Sequence, residues 1–287
     1  MGVTTVRAED IYREELAGVG AEDGRVVCVE ALLGSARHPF ETAHPDRFFQ
    51  LGSVESAMVT MVEGLVTAGF RVFVCGLGPT TNIGAARLPR LALAYLKAGA
   101  SVVVPDAQVD PTELPRTPRV QIAEPCGVRE IKAVVRGAAR SGRPYYIRIG
   151  SGAPVDVASD WADRGDDIPS VVWDAGGGPA RRVGGGVCLV SVGGDGTRLA
   201  LEVRDRFESA AHGHLVYLDD SHLVAAAGEL ARHYDRFVVL GGDVGPAGVR
   251  QRLSELMPGC EVLGAPPQGE LASDVAEVLL TLRRPRS

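Results

Sequence analysis

The 287-residue chain has no uninterrupted apolar run approaching the roughly 18–20 residues of a membrane-spanning helix, and its N-terminal stretch is polar and charged. A cytoplasmic protein without membrane contact is therefore expected. It also lacks a basic stripe: 30 Lys and Arg against 36 Asp and Glu are interspersed, for a net charge of −6, which argues against nucleic acid as a partner. No CxxC or CxxH pair occurs. The five widely spaced cysteines (Cys28, Cys75, Cys126, Cys188 and Cys260) are expected as structural free thiols, and no metal site is expected in this chain. There is no G-x-S-x-G elbow, and Gly76-x-Gly78 with Gly84 fails as a dinucleotide loop because Pro79 and the spacing break the pattern.

What the chain does have is 45% hydrophobic residues, enough to fill two modest cores. Short β-branched runs alternate with longer stretches at helical period, the rhythm of parallel α/β architecture. Strands are predicted over 25–30, 71–75, 101–104, 120–123 and 145–149, with helices over 7–17, 54–68, 87–98 and 127–141. Glycines at 69, 99 and 142 follow three of these helices as stops. Between 151 and 186, prolines, acidic residues and glycine triplets at 176–178 and 184–186 replace the pattern. A second unit follows, with strands predicted over 187–192, 214–218, 237–240 and 261–263, and helices over 197–209, 222–233, 248–257 and 270–282. The expected fold is α/β in two domains, each a mainly parallel sheet flanked by helices: residues 1–152, a linker at 153–186, and residues 187–287.

The most informative stretch is Pro45-Asp46-Arg47-Phe48-Phe49-Gln50-Leu51-Gly52-Ser53-Val54-Glu55-Ser56-Ala57-Met58, which runs into a helix ending near Gly69. It resembles the pyrimidine-binding domain of transketolases, whose segment reads P-x-R-F-F-N-x-G-I-A-E-Q-x-M. It is similar, less closely, to the same region of 1-deoxyxylulose-5-phosphate synthase and of the pyruvate dehydrogenase beta subunit. The resemblance implies thiamine diphosphate as cofactor and Glu55 as the catalytic residue. The chemistry needs a carboxyl group there, since an aminopyrimidine becomes a useful base only when its ring nitrogen N1′ is protonated or strongly hydrogen-bonded. The 4′-amino group then shifts toward its imino form and can take the proton from thiazolium C2. Glu55 would stand in the first helical turn, where Gly52-Ser53 can cap and the helix dipole favours negative charge. An ordinary first-turn glutamate is the plainer alternative.

Other matches extend the resemblance. Gly52, Ser53, Glu55, Leu77 and Ile83 would contact the cofactor, Leu77 or Ile83 packing apolar surface where the family carries a stacking aromatic. Val29 to Ser35 parallels the family's first strand and turn, with Ser35 at the substrate entrance and Ala31 in place of an aspartate. Pro144-Tyr145-Tyr146-Ile147-Arg148-Ile149-Gly150 resembles the P-x-Y-I-R-L-G strand, making Arg148 a substrate-binding candidate. The family's histidine-bearing loop should fall after the third strand, yet 105–119 holds no histidine. His38, a substrate-binding candidate, and His44 are the nearest replacements; exposed loop histidines are the plainer reading of both.

The resemblance also implies a missing piece. A complete enzyme needs a diphosphate domain marked by G-D-G and a downstream asparagine that serve Mg²⁺. Here Gly194-Asp195-Gly196 is followed by Asp219-Asp220, but the single asparagine is Asn82, far upstream. A turn with Thr197 capping the next helix is expected instead. An N-terminal transketolase-like partner subunit would hold the diphosphate and Mg²⁺, in an α2β2 heterotetramer acting on small-molecule substrates. With phosphate and polyol recognition trimmed, the implied reaction is transfer of a two-carbon ketol or acyl unit to a non-standard acceptor in specialised metabolism. The alternative is a degenerate subunit with a structural or regulatory role.

Overall fold

A computed structural model describes residues 6–30, 38–50, 55–75, 95–105, 119–150, 152–159, 161, 166–175, 186–207, 210–241, 248–264 and 275, without the side chains of 55–58 and 105. The chain divides into two compact units, Met1–Pro154 and Val155–Ser287.

In the first unit, helix α1 (Ala8–Glu22) buries Ala8, Tyr12 and Leu16, the i, i+4, i+8 stripe of an amphipathic helix, with Ile11 and Val19 beside it. Strand β1 (Val26–Glu30) follows, then a short helix α2 (Pro39–Ala43), a 3₁₀ turn (Pro45–Arg47) and strand β2 (Phe48–Gln50). Helix α3 (Glu55–Thr67) leads to β3 (Arg71–Cys75), with β4 (Ser101–Pro105) and β5 (Gln121–Ala123) beyond. Helix α4 (Val128–Ser141) and β6 (Tyr145–Ile149) complete the unit. The six strands lie in the order β2-β1-β3-β4-β6-β5, and every pair is parallel. Both faces are covered, so β1 and β6 are buried throughout, as strands of a parallel sheet are. Buried Glu130 is explained by capping: its Oε2 accepts the backbone N–H groups of Cys126 (2.9 Å) and Gly127 (3.1 Å) at the start of α4.

The short α2, the 3₁₀ turn and β2 lie outside the predicted elements, because three to five residues carry no readable period. Arg47 holds them in place. Its guanidinium donates to the carbonyls of Gly20 (2.9 Å), Asp23 (3.2 Å) and Val26 (3.1 Å), and lies 2.9 Å from His44 Nδ1. These bonds tie the end of α1 and the start of β1 to the turn that launches β2.

In the second unit, β7 (Val172–Trp173) precedes β8 (Val187–Val192), α5 (Gly193–Arg206), β9 (Ala211–Leu215), α6 (Asp220–His233), β10 (Arg236–Leu240), α7 (Val249–Leu256) and β11 (Glu261–Gly264). The order is β11-β10-β8-β9-β7, parallel except for β7 against β9. The two expected mainly parallel sheets are both present. Three details differ from expectation. Strand β9 starts at Ala211 rather than 214, because His212 and His214 are fully buried and bonded inside the sheet. Thr197 does not cap α5; it lies one turn inside the helix and its hydroxyl donates back to Gly193 O at 2.7 Å. The stretch expected as a linker supplies β7: Val171 and Val172 are buried, and Trp173 Nε1 donates to Glu229 Oε1 on α6 at 2.6 Å. The helix predicted over 87–98 is described only from 95, and that over 270–282 only at Val275.

Arg47→Ala should lower stability by about 2–4 kcal/mol, since three backbone acceptors lose a charge-assisted donor. Arg47→Lys should recover less than half, because a single ammonium cannot span carbonyls on separate segments. Urea unfolding of the two variants checks this; full rescue by lysine would mean that charge alone matters.

Candidate active site at the carboxyl edge of the first sheet

The strand order places a topological switch point between β1 and β3. The chain passes from β1 to β2 on one side, then crosses to β3 and onward to β4 on the other. Open parallel sheets bind ligands at the carboxyl ends of the strands flanking such a point. The register sets Glu30 opposite Gln50 of β2 and Cys75 of β3, so three neighbouring strands end at one level. From these ends depart the segments carrying Ser35 (after β1), Gly52, Ser53 and Glu55 (after β2), and Leu77 and Ile83 (after β3). Glu55 is the first residue of α3. Ser35, Gly52, Ser53, Leu77 and Ile83 lie outside the described residues, as does the Glu55 side chain. The topology thus brings together the points from which all six residues depart, within one or two strand spacings of about 4.8 Å.

His38 is buried, not an exposed loop histidine. It caps α2, its Nδ1 accepting the Phe40 N–H at 3.1 Å, and its ring lies 5.3 Å from that of Phe48. With Nδ1 an acceptor, the neutral ring carries its proton on Nε2. That atom lies 3.9 Å from Glu30 Oε2, and neither atom has a hydrogen-bond partner among the described residues. Burial pushes the Glu30 carboxyl up to about 7, against the pull of Arg13 on α1. Burial also pushes His38 down to about 4, with Arg13 adding to the shift. At neutral pH the pair is a neutral imidazole N–H facing a carboxyl poised to gain or lose a proton. A group that titrates near 7 and lacks a partner is what general acid–base chemistry uses.

Glu30 was not among the sequence candidates. Its signal was there, a lone charged residue ending the apolar run Val26-Val27-Cys28-Val29. His44 turns away from this edge, Nε2 lying 2.9 Å from Ala17 O. Arg148 lies near the carboxyl end of β6 in a buried ion pair, 3.0 Å from Glu124 Oε2, so it holds β6 to the segment after β5.

Beneath Glu30, Cys28 and Cys75 lie with their sulfurs 3.9 Å apart, and Tyr12 OH is 2.6 Å from Cys75 Sγ. The ligand atoms of Cys28, Glu30 and Cys75 all lie within 4.8 Å of one another, close enough to share an ion. Yet the hydrogen bond with Cys75, then burial, push the Cys28 thiol well up, and burial does the same to Tyr12. Cys28 and Tyr12 therefore keep their protons and present neutral groups rather than anionic ligands.

In the second unit, Ser191 Oγ lies 2.8 Å from His212 Nε2, whose Nδ1 lies 3.4 Å from Asp174 Oδ2, which has the outline of a nucleophilic triad. Ser191 and His212 have no exposed surface, His214 shares the Ser191 hydroxyl at 3.0 Å, and Arg204 binds Asp174. This is a sealed network satisfying polar groups within the sheet. Gly194-Asp195-Gly196 lies inside helix α5 rather than in a turn; the Asp195 side chain is 90% exposed and pairs with Arg198 at 2.8 Å. Asp219 caps α6 through His222 and Ser221, and Asp220 pairs with Arg252. Each of these three carboxylates is thus engaged separately.

No family model matches the chain. It is 37% identical over 79 residues to a 1-deoxy-D-xylulose-5-phosphate synthase of Thermomicrobium roseum, covering 27% of this chain and 12% of that protein. Over 152 residues it is 27% identical to a putative uncharacterized transketolase family protein of Sinorhizobium fredii, covering 48% of this chain and 44% of the other. A 1-deoxy-D-xylulose-5-phosphate synthase of Desulfotalea psychrophila matches at 25% over 197 residues, covering 64% and 30%. The matches span less than half the length of each of these curated relatives. Among solved structures, a split gene transketolase, described as an inactive β4 tetramer, is similar with a TM-score of 0.76 at 22% identity, covering 98% of this chain and 100% of that one. Fold and sheet topology define a two-unit α/β chain with a mainly parallel sheet in each unit. Its fold is similar to that of the split gene transketolase chain. No helix of the described residues is long and apolar enough to cross a membrane.

The inverted pair makes a pH prediction. Between 4.5 and about 7 the folded state keeps a proton on Glu30 that the unfolded state releases, so stability falls as pH rises. Between about 4 and 6.5 the unfolded state protonates a histidine that the folded state keeps neutral, so stability rises with pH. The slopes oppose, and the native protein should be nearly flat over their shared window. Glu30→Gln should gain about 2–3 kcal/mol relative to the native protein from pH 5 to 7. His38→Gln should instead decline with pH. Urea midpoints across this range test both, and parallel profiles for all three proteins would rule out the inverted pair.

Proposed function

We propose that this chain is the C-terminal subunit of a split, thiamine-diphosphate-dependent, transketolase-like enzyme, with Glu55 as the residue that activates the cofactor. The observation that carries this is the start of α3 at Glu55, directly after β2, at the switch-point edge of a fully parallel sheet. A carboxyl group in the first turn of a helix, at the ligand-binding edge, suits an aminopyrimidine ring nitrogen. The similarity to the split-gene fold and to the two synthases supports the same reading.

In this reading, Gly52 and Ser53 shape the entry to α3, and Leu77 and Ile83 offer apolar surface to the ring. Glu55 holds a proton at the pyrimidine nitrogen. The bound cofactor supplies the electron sink for transfer of a two-carbon ketol or acyl unit. Ser35 borders the substrate, and His38 with Glu30 takes over the proton handling of the histidine loop that the sequence lacks. The acceptor is a non-standard one in specialised metabolism, and the protein works in the cytoplasm. An N-terminal subunit holds the diphosphate and Mg²⁺ in an α2β2 heterotetramer. The similar split-gene chain, described as an inactive β4 tetramer, supports dependence on a second kind of subunit. One observation favours a second reading, a degenerate structural subunit: Arg148, the expected substrate contact, is committed to Glu124 in a buried pair.

Thiamine diphosphate with Mg²⁺ should bind the complex of this chain with a diphosphate-domain partner, and bind this chain alone far more weakly. In that complex, Glu55→Ala should slow hydrogen–deuterium exchange at thiazolium C2 by about 100-fold or more. Unchanged exchange would sink the catalytic role of Glu55. One-site binding to the isolated chain would sink the split site.

A further inference from the structure

At the amino edge of the first sheet, opposite the carboxyl ends, lies a cavity of about 200 Å³. Arg71, the first residue of β3, and Arg143, just before β6, both line it, with Ser101 of β4 and the glycines 69, 99 and 142. The register pairs Phe73 with Ser101 and Val102 with Tyr146, which sets Arg71 and Arg143 in one row on either side of Gly99. Neither guanidinium has a hydrogen bond or ion pair among the described residues, and Arg71 Nε is fully buried without one. Among the described residues, no acidic side chain lines the cavity. Asp23 is the carboxylate whose charge Arg71 influences, but Arg25 already binds it through two N–H groups at 3.0 and 2.8 Å. Ser101 Oγ accepts the Tyr145 N–H at 3.4 Å, which leaves its own proton to donate.

Helix C-termini are a plausible home for arginine, and α3 and α4 both end here. Their carbonyls nevertheless leave the buried Arg71 Nε unmet. Gly142, at φ +63, keeps the wall open: a Cβ there would run into the Arg71 guanidinium. Two forks without protein partners and a hydroxyl around one partly open cavity are a set of donors without an acceptor among the described residues. Arginine forks match tetrahedral oxyanions in geometry and charge.

We propose that this cavity is an oxyanion site that takes phosphate, either free or as the phosphoryl group of a small phosphomonoester. It is independent of the thiamine diphosphate reading and stands or falls apart from it.

Calorimetry and thermal unfolding of the full chain, titrated with inorganic phosphate at ionic strength held constant with NaCl, test the site. Saturable one-site binding with a rise in melting temperature is expected. Arg71→Gln and Arg143→Gln should each weaken it by about tenfold or more. Without phosphate, Arg71→Gln should melt no lower than the native protein, because it removes an unpaired buried donor. Arg143 is exposed, so Arg143→Gln carries the test should Arg71→Gln fail to fold. Glycerol phosphate binding more tightly than phosphate assigns the site to a phosphomonoester; equal binding assigns it to the free ion. An equal response in the variants, or one reproduced by NaCl alone, overturns the proposal.

Discussion

The candidate site depends on one constraint, the parallel pairing of β1 on both its edges, with β2 on one side and β3 on the other. This pairing creates the switch point and sets three strand ends at one level. Strand β2 is only three residues long and cannot hold its register through its own ladder. The Arg47 guanidinium does much of that work by reaching back to three carbonyls at the α1–β1 junction. A residue within the sequence motif thus acts on architecture, while the chemistry is what we propose for the glutamate eight positions later.

Burial decides the charge states near this edge. Glu30 and His38 would form an ordinary ion pair in water. Within the first unit, desolvation favours the neutral form of each and outweighs an attraction acting across 3.9 Å. Burial also keeps Tyr12 protonated beneath them, and the hydrogen bond with Cys75, with burial second, does so for the Cys28 thiol. The second unit meets the same problem differently. There Ser191, Thr197, His212, His214 and Asp174 satisfy one another, with Arg204 binding Asp174, so histidines sit inside a strand at little cost.

The two edges of the first sheet therefore differ in kind. The carboxyl edge gathers buried polar groups where the chain leaves the strands. The amino edge gathers positive charge without a matching carboxylate in the cavity. Parallel strands make this asymmetry possible, because every helix in such a sheet returns its C-terminus to the amino edge, where glycine stops leave room for long cationic side chains.

The alternation of β-branched runs with helical stretches was enough, by itself, to determine the α/β class and most of the strands, since burial on both faces of a parallel sheet writes continuous apolar runs. It also marked the stretch from Pro45 to Met58 and with it Glu55, because that segment keeps several residue types at fixed spacing. It did not reveal β2, α2 or β7, which are too short to carry a period, nor the true start of β9, because Ala211-His212-Gly213 carries no β-branched run. Only the tertiary structure decided that Arg47 is a clamp, that Arg148 is held by Glu124, that Glu30 faces His38, and that Arg71 and Arg143 share a cavity. Each of these rests on residues distant in sequence meeting in space, and on the loss of water around them, and neither is written in local spacing.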